Sequence, residues 1–70
     1  GPMRKSIHRM FDESTLYSKG EISAILTQAY KRKGLFVNKS ISSTEIKRWY
    51  DIETVRGHGF DQIKLLKKRY

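Results

Sequence analysis

The sequence predicts a small α+β domain of three helices followed by a two-stranded β-hairpin. Three observations carry this reading. Two segments, 17–22 and 41–46, each combine a serine, a glutamate three residues later and flanking apolar residues. Two β-rich runs, 52–56 and 60–65, are separated by Gly57-His58-Gly59. The stretch from Met3 to Phe11 places Ile7, Met10 and Phe11 at helical spacing.

At the N-terminus, Gly1-Pro2 before Met3 reads as a tag-cleavage scar and is set aside. Arg4, Lys5 and Arg9 fall outside the apolar stripe of the first segment, and Asp12-Glu13-Ser14-Thr15 breaks its pattern. Residues 3–16 are therefore expected to form a basic helix and linker, and residues 17–70 the main domain.

The first capping signal is Tyr17-Ser18-Lys19-Gly20-Glu21-Ile22. The serine oxygen accepts from the N3 amide and the glutamate reaches back to the cap amide, while the two apolar residues staple the entry angle of the chain. A helix over 19–33 follows, with Ile22, Ile25, Leu26 and Ala29 on one face. Gly34 suits the left-handed position past its end, with Leu35 folding back toward Tyr30. Lys31, Arg32 and Lys33 sit where cations suit the helix dipole.

Lys39-Ser40-Ile41 is expected to be a very short strand. The second capping signal, Ile41-Ser42-Ser43-Thr44-Glu45-Ile46, starts a helix of about two turns, to near Tyr50 or Ile52. Ile46, Trp49 and Tyr50 form its inward face, and Thr44, Lys47, Arg48 and Asp51 its outward one. The hairpin then turns at the two glycines, which supply positive φ angles. Lys64-Leu65-Leu66-Lys67-Lys68-Arg69 is equally consistent with the start of a helix. The expected core draws on Ile7, Ile22, Ile25, Leu26, Ile41, Ile46, Trp49, Ile52, Val55, Phe60, Ile63 and Leu65, with Tyr30 and Tyr50 beside them. Tyr17 and Tyr70 read as freer.

Composition narrows the function. Seventy residues hold one domain, and such a domain buries only about 60% of its unfolded surface. There is no cysteine, and the two histidines, His8 and His58, lack metal-ligand spacing, so no metal and no cofactor are expected. No serine or threonine has a histidine and a carboxylate at a familiar catalytic spacing, and no Walker-type loop occurs, so no enzyme is expected. No apolar run spans a membrane, and none reads as a signal peptide. Fifteen Lys plus Arg against seven Asp plus Glu give a formal charge of +8, which points to an anionic partner.

Three helices followed by a β-hairpin describe the winged variant of the helix-turn-helix. A lone hairpin is hardly stable in water, and a helical layer covers one of its faces. In this frame the recognition helix is Ser43 to Tyr50. Ser43, Thr44, Lys47 and Arg48 are its candidate nucleic-acid contacts, Arg and Lys being able to bind guanine or phosphate. The wing contributes Arg56, His58 and Lys64, and an arginine at a glycine-rich tip suits a narrow, negative groove. Lys39 and the Lys31-Arg32-Lys33 cluster complete the candidate set as phosphate contacts. Tyr30, Trp49, Tyr50 and Phe60 lie on apolar faces and read as core rather than as base-stacking platforms.

The stretch from Tyr17 to Lys67, about three-quarters of the chain, resembles the C-terminal winged-helix tails of replicative primase-helicases and primase-polymerases of phages and mobile elements. The carrying residues are Tyr17-Ser18-Lys19-Gly20-Glu21-Ile22, Ala29-Tyr30-Lys31-Arg32-Lys33-Gly34-Leu35, Ser42-Ser43-Thr44-Glu45-Ile46-Lys47-Arg48-Trp49-Tyr50 and the glycine-containing hairpin ending at Ile63-Lys64. The resemblance implies a non-enzymatic appendage that holds template or primer DNA, or docks other parts of a replication protein, in the cytoplasm of a bacterial host. The basic stretch Met3 to Phe11 departs from that pattern. Two other readings stand beside DNA binding: a module that docks a protein partner, and a small stand-alone transcription regulator. The latter predicts a dimer surface for palindromic half-sites.

Overall fold

A computed structural model describes residues 2–36, 42–57 and 59–69. The described residues form a small α+β domain with three helices and a three-stranded antiparallel sheet, compatible with a winged helix. The order is α1 (Pro2–Met10), β1 (Leu16–Ser18), α2 (Lys19–Arg32), α3 (Ser42–Lys47), β2 (Tyr50–Arg56) and β3 (Asp61–Lys68). The strands lie in the order β1-β3-β2, so the last strand is the central one.

No local signal in the sequence marks strand β1. It pairs Leu16 with Lys64, Tyr17 with Ile63 and Ser18 with Gln62. Three residues are too few to show alternation, and their extended state is fixed by a partner at the far end of the chain. The expected strand at 39–41 lies outside the described residues, as do Ile41 of the expected core and Tyr70. The second capping box rests on the Ser42 side chain, which is also outside them.

Helix α2 forms as its local signals require. Ser18 ends β1 and caps α2: its Oγ accepts from the Glu21 amide at 3.1 Å, and the Glu21 carboxylate accepts from the Ser18 amide at 3.0 Å. The staple residues Tyr17 and Ile22 are both buried. At the far end Gly34 has φ +74°, and the amides of Gly34 and Leu35 donate to the carbonyls of Lys31 and Tyr30. This is the Schellman pattern, which satisfies two otherwise orphaned carbonyls.

Helix α3 is shorter than its predicted span. It ends at Lys47, and the Arg48 and Trp49 amides donate back to the carbonyls of Glu45 and Ile46, tightening the last turn. Tyr50, expected to be helical, opens β2 opposite Lys68, and Asp51 lies in the strand rather than on the helix face. Trp49, Tyr50 and Ile52 favour strands, and the ladder to β3 overrides the helical spacing. Residues 64–68 are strand, which settles the ambiguity of that stretch against a helix. Between Asp51/Ile52 the register shifts: Ile52 faces Leu65 while Asp51 faces Lys67, leaving Leu66 as the extra, exposed residue of a bulge.

The core joins all three helices to the sheet. It contains Ile7 and Phe11, then Tyr17, Ile22, Leu26, Ala29, Tyr30, Ile46, Tyr50, Ile63 and Leu65. Within residues 3–16, helix α1 packs into this core through Ile7, which is 0% exposed, and Leu16 lies in the sheet. Tyr17, read as free, is buried at 7% exposure; its ring meets Phe11 edge-on at 5.4 Å and its Oη accepts from the Asp12 amide at 2.8 Å. Phe60, expected in the core, is 63% exposed, because it sits at the hairpin tip beside Gly59, whose φ is +92°. Ile25, Trp49 and Ile52 are half-buried against the core, and Val55 is half-buried on the outer sheet face.

His8 packs edge-on against Tyr50, with ring centroids 4.9 Å apart. Burial holds its imidazole below the usual pKa of 6.5, and the charges of Lys68 and Arg4 push the same way; a hydrogen bond with the Arg69 backbone and the Glu13 charge oppose them. In the unfolded chain His8 takes up its proton first as pH falls through 6.5. The fold therefore loses stability from that point down to the lower, folded pKa, below which the loss is complete. Thermal melts between about pH 7 and pH 5 should show a falling midpoint that is flatter in His8→Gln. An equally steep fall in that variant would remove His8 as the cause.

Candidate nucleic-acid interface

The candidate interface is built on α3 and the strand that follows it. Ile46, 0% exposed, and Glu45, 8% exposed, anchor α3, while Thr44 and Lys47 face solvent and Ser43 is half-buried. Glu45 is a charged residue in the interior, which requires partners. Tyr30 Oη donates to Glu45 Oε2 at 2.9 Å, and Trp49 Nε1 donates to Tyr30 Oη at 2.8 Å. Arg48 lies 3.6 Å from Glu45 Oε1, with its own side chain 64% exposed. Burial pushes the Tyr30 phenol up, with Glu45 adding to the effect, so the hydroxyl stays protonated as a donor. The chain Trp49–Tyr30–Glu45–Arg48 ties α3 to α2 and holds one guanidinium at the outer end of α3.

Arg56 ends β2 in an exposed position, directly across from Asp61. Strand alternation places Arg56 on the face of Tyr50 and Ile52, the side that carries the helices. Lys64 lies on the other side. It is half-buried between Leu16 and Glu53 in the register, on the face opposite Ile63 and Leu65. The two cations expected to share the wing surface are therefore separated by the sheet. Lys39 and His58 lie outside the described residues.

Lys31, Arg32 and Lys33 are exposed at the end of α2. Arg32 and Lys33 line a cleft between α1 and α2, together with Ser6, Arg9, Met10 and Ala29. The predicted contacts thus fall into three groups: Ser43, Thr44, Lys47, Arg48 and Arg56 on the helix-bearing side, the α2 cluster, and Lys64 on the outer sheet face. Arg9 joins the second group only through tertiary packing, and no sequence signal pairs it with Arg32. Asp51, expected beside Lys47, instead binds Arg69, Oδ1 to Nε at 2.7 Å.

Among the described residues, no group of three His, Cys, Asp or Glu side chains is placed to hold a metal ion. Among them, too, no helix is long and apolar enough to cross a membrane. Compared with known proteins, the chain matches no family model, no curated protein and no solved structure.

Proposed function

We propose that this is a winged helix-turn-helix domain that binds DNA without catalysing a reaction. It serves as an accessory tail of a replication primase or helicase and contacts template or primer. The observation that carries the reading is the placement of charge: Lys47 and Arg48 are exposed at the end of α3, and Arg56 is exposed on the same side of the adjoining strand. Cations so placed on a helix end and a strand suit a phosphodiester backbone, and Arg48 has the planar fork that suits a phosphate or guanine. The resemblance of residues 17–67 to primase-helicase tails supplies the replication context.

Contact with three to five phosphates gives a log-log salt slope of roughly −3 to −5 on duplex DNA. Anisotropy titrations of labelled duplex and single strand at two salt concentrations measure it. The expected result is weak, sequence-tolerant binding, with the slope reduced by about 2 in a Lys47→Gln/Arg48→Gln variant. Absence of binding at ~50 mM salt overturns the proposal.

A second reading has one observation in its favour. Phe36, 93% exposed, and Leu35 follow α2 as an apolar pair at the surface. In a domain that docks a replication partner, those side chains are contacts, and the Lys47→Gln/Arg48→Gln variant leaves DNA affinity unchanged.

A further inference from the structure

The cleft between α1 and α2 has a composition that the α3 surface does not explain. Arg9, Arg32 and Lys33 converge on it with the hydroxyl-bearing Ser6, over an apolar floor of Met10 and Ala29. Among the described residues, no carboxylate lines it. The ion pairs among the described residues, Arg48–Glu45 and Arg69–Asp51, leave all three of these cations unpaired. Two of them are accounted for at their own helix ends, since Arg9 lies in the last turn of α1 and Arg32 in that of α2, where a cation offsets the dipole. Dipole compensation does not require the two helix ends to bring their charges onto one cavity. That arrangement costs mutual repulsion, which a bound anion relieves.

We propose that this cleft is a phosphate-binding site, formed by Arg9, Arg32, Lys33 and Ser6. Two guanidinium forks, an ammonium and a hydroxyl match a group that presents several acceptor oxygens, and the Arg fork binds phosphate through paired hydrogen bonds. The cleft has a volume of about 210 Å³. That is room for a phosphate with part of the group it esterifies. The site lies on the α1 side of α2, whereas the Tyr30–Glu45 contact joins α2 to α3. It is therefore independent of the proposed α3 surface. Its phosphate comes either from a nucleic-acid backbone or from a free phosphate compound.

The test is a chemical-shift titration of the whole protein in three arms: inorganic phosphate, sodium chloride at matched ionic strength, and a DNA duplex. Saturable shifts at Ser6, Arg9, Arg32 and Lys33 are expected with phosphate and not with chloride. They should vanish in Arg9→Gln/Arg32→Gln, whose substitutions are at exposed positions, and persist in Lys5→Gln/Lys67→Gln, which loses the same charge at exposed positions outside the cleft. The DNA arm identifies the source. If the backbone is the ligand, the same signals move with duplex, and the cleft variant lowers the salt slope by about 1, one phosphate contact. Shifts with phosphate but not duplex support the site with a free phosphate compound as ligand. Equal shifts with chloride, shifts that survive in the cleft variant, or silence in both the phosphate and duplex arms overturn it. Signals from Lys47, Arg48 and Arg56 report the α3 surface separately, so failure of one proposal is distinguishable from failure of the other.

Discussion

An Ile7→Ala variant should be largely unfolded under conditions in which the parent is folded. Ile7 is 0% exposed in the core that also holds Tyr50, Leu26 and Leu65. Truncating a buried isoleucine to alanine costs about 2–5 kcal/mol, the loss of transfer energy plus the cavity left behind. A domain below ~70–80 residues draws only about 3–5 kcal/mol from its core, so the two quantities are of the same size. Phe11 and His8, on the same segment, both pack edge-on against Tyr50 and add to the dependence of the sheet on α1. Lys5→Ala, at an exposed position of the same helix, is the control and should stay within about 0.5 kcal/mol of the parent. Urea unfolding of the three proteins measures the difference. A cost below ~1 kcal/mol for Ile7→Ala would show that α1 stands outside the cooperative unit, as its basic composition and the acidic break after it suggest from the sequence alone.

What was readable in the chain divides by how far apart the interacting residues lie. Helix α2 was readable from end to end, because its capping box, staple and glycine stop are each local. Strand β1 was not, because Leu16-Tyr17-Ser18 become a strand only by pairing with β3. The same long-range ladder cuts α3 short at Lys47, although Trp49 and Tyr50 continue its apolar spacing. In the candidate site, the exposure of Lys47 and Arg48 followed from helical periodicity around Ile46. The opposite facing of Arg56 and Lys64 depends on register: Arg56 pairs with Asp61, so Lys64 falls opposite Glu53, on the other side of the pleat. Arg9 could be placed beside Arg32 only by knowing how α1 packs on α2. Spacing alone makes Glu45 half of a capping box and puts Arg48 within its reach; its contact to Tyr30 depends on the α2–α3 interface.

Tyr30→Phe should destabilise the protein by about 1–3 kcal/mol, the cost of leaving a buried polar group without its partner. The substitution keeps the ring and its packing and removes only the hydroxyl, which accepts from Trp49 at 2.8 Å and donates to Glu45 at 2.9 Å. The Glu45 carboxylate then stays in the interior with Arg48 at 3.6 Å and no Tyr30 donor. Glu45→Gln retains an amide oxygen that can accept from Tyr30 and gives up the attraction of Arg48, so its cost should be the smaller. Glu45→Ala removes the shared hydrogen bond outright, so its cost and that of Tyr30→Phe should not add: the double variant Tyr30→Phe/Glu45→Ala is expected to lose less than the sum, by about 0.5–3 kcal/mol of coupling. Trp49 supplies an independent reading, since loss of its indole partner should change its fluorescence in the folded state while Glu45→Gln alters it less. Denaturant curves for Tyr30→Phe, Glu45→Ala and the double variant complete the cycle. Strictly additive costs would mean that Tyr30 and Glu45 are not energetically coupled and that the exposed Arg48 is not positioned through that pair. The network would then have no part in presenting the α3 surface, and the DNA affinity of Tyr30→Phe at a temperature where it remains folded should equal that of the parent.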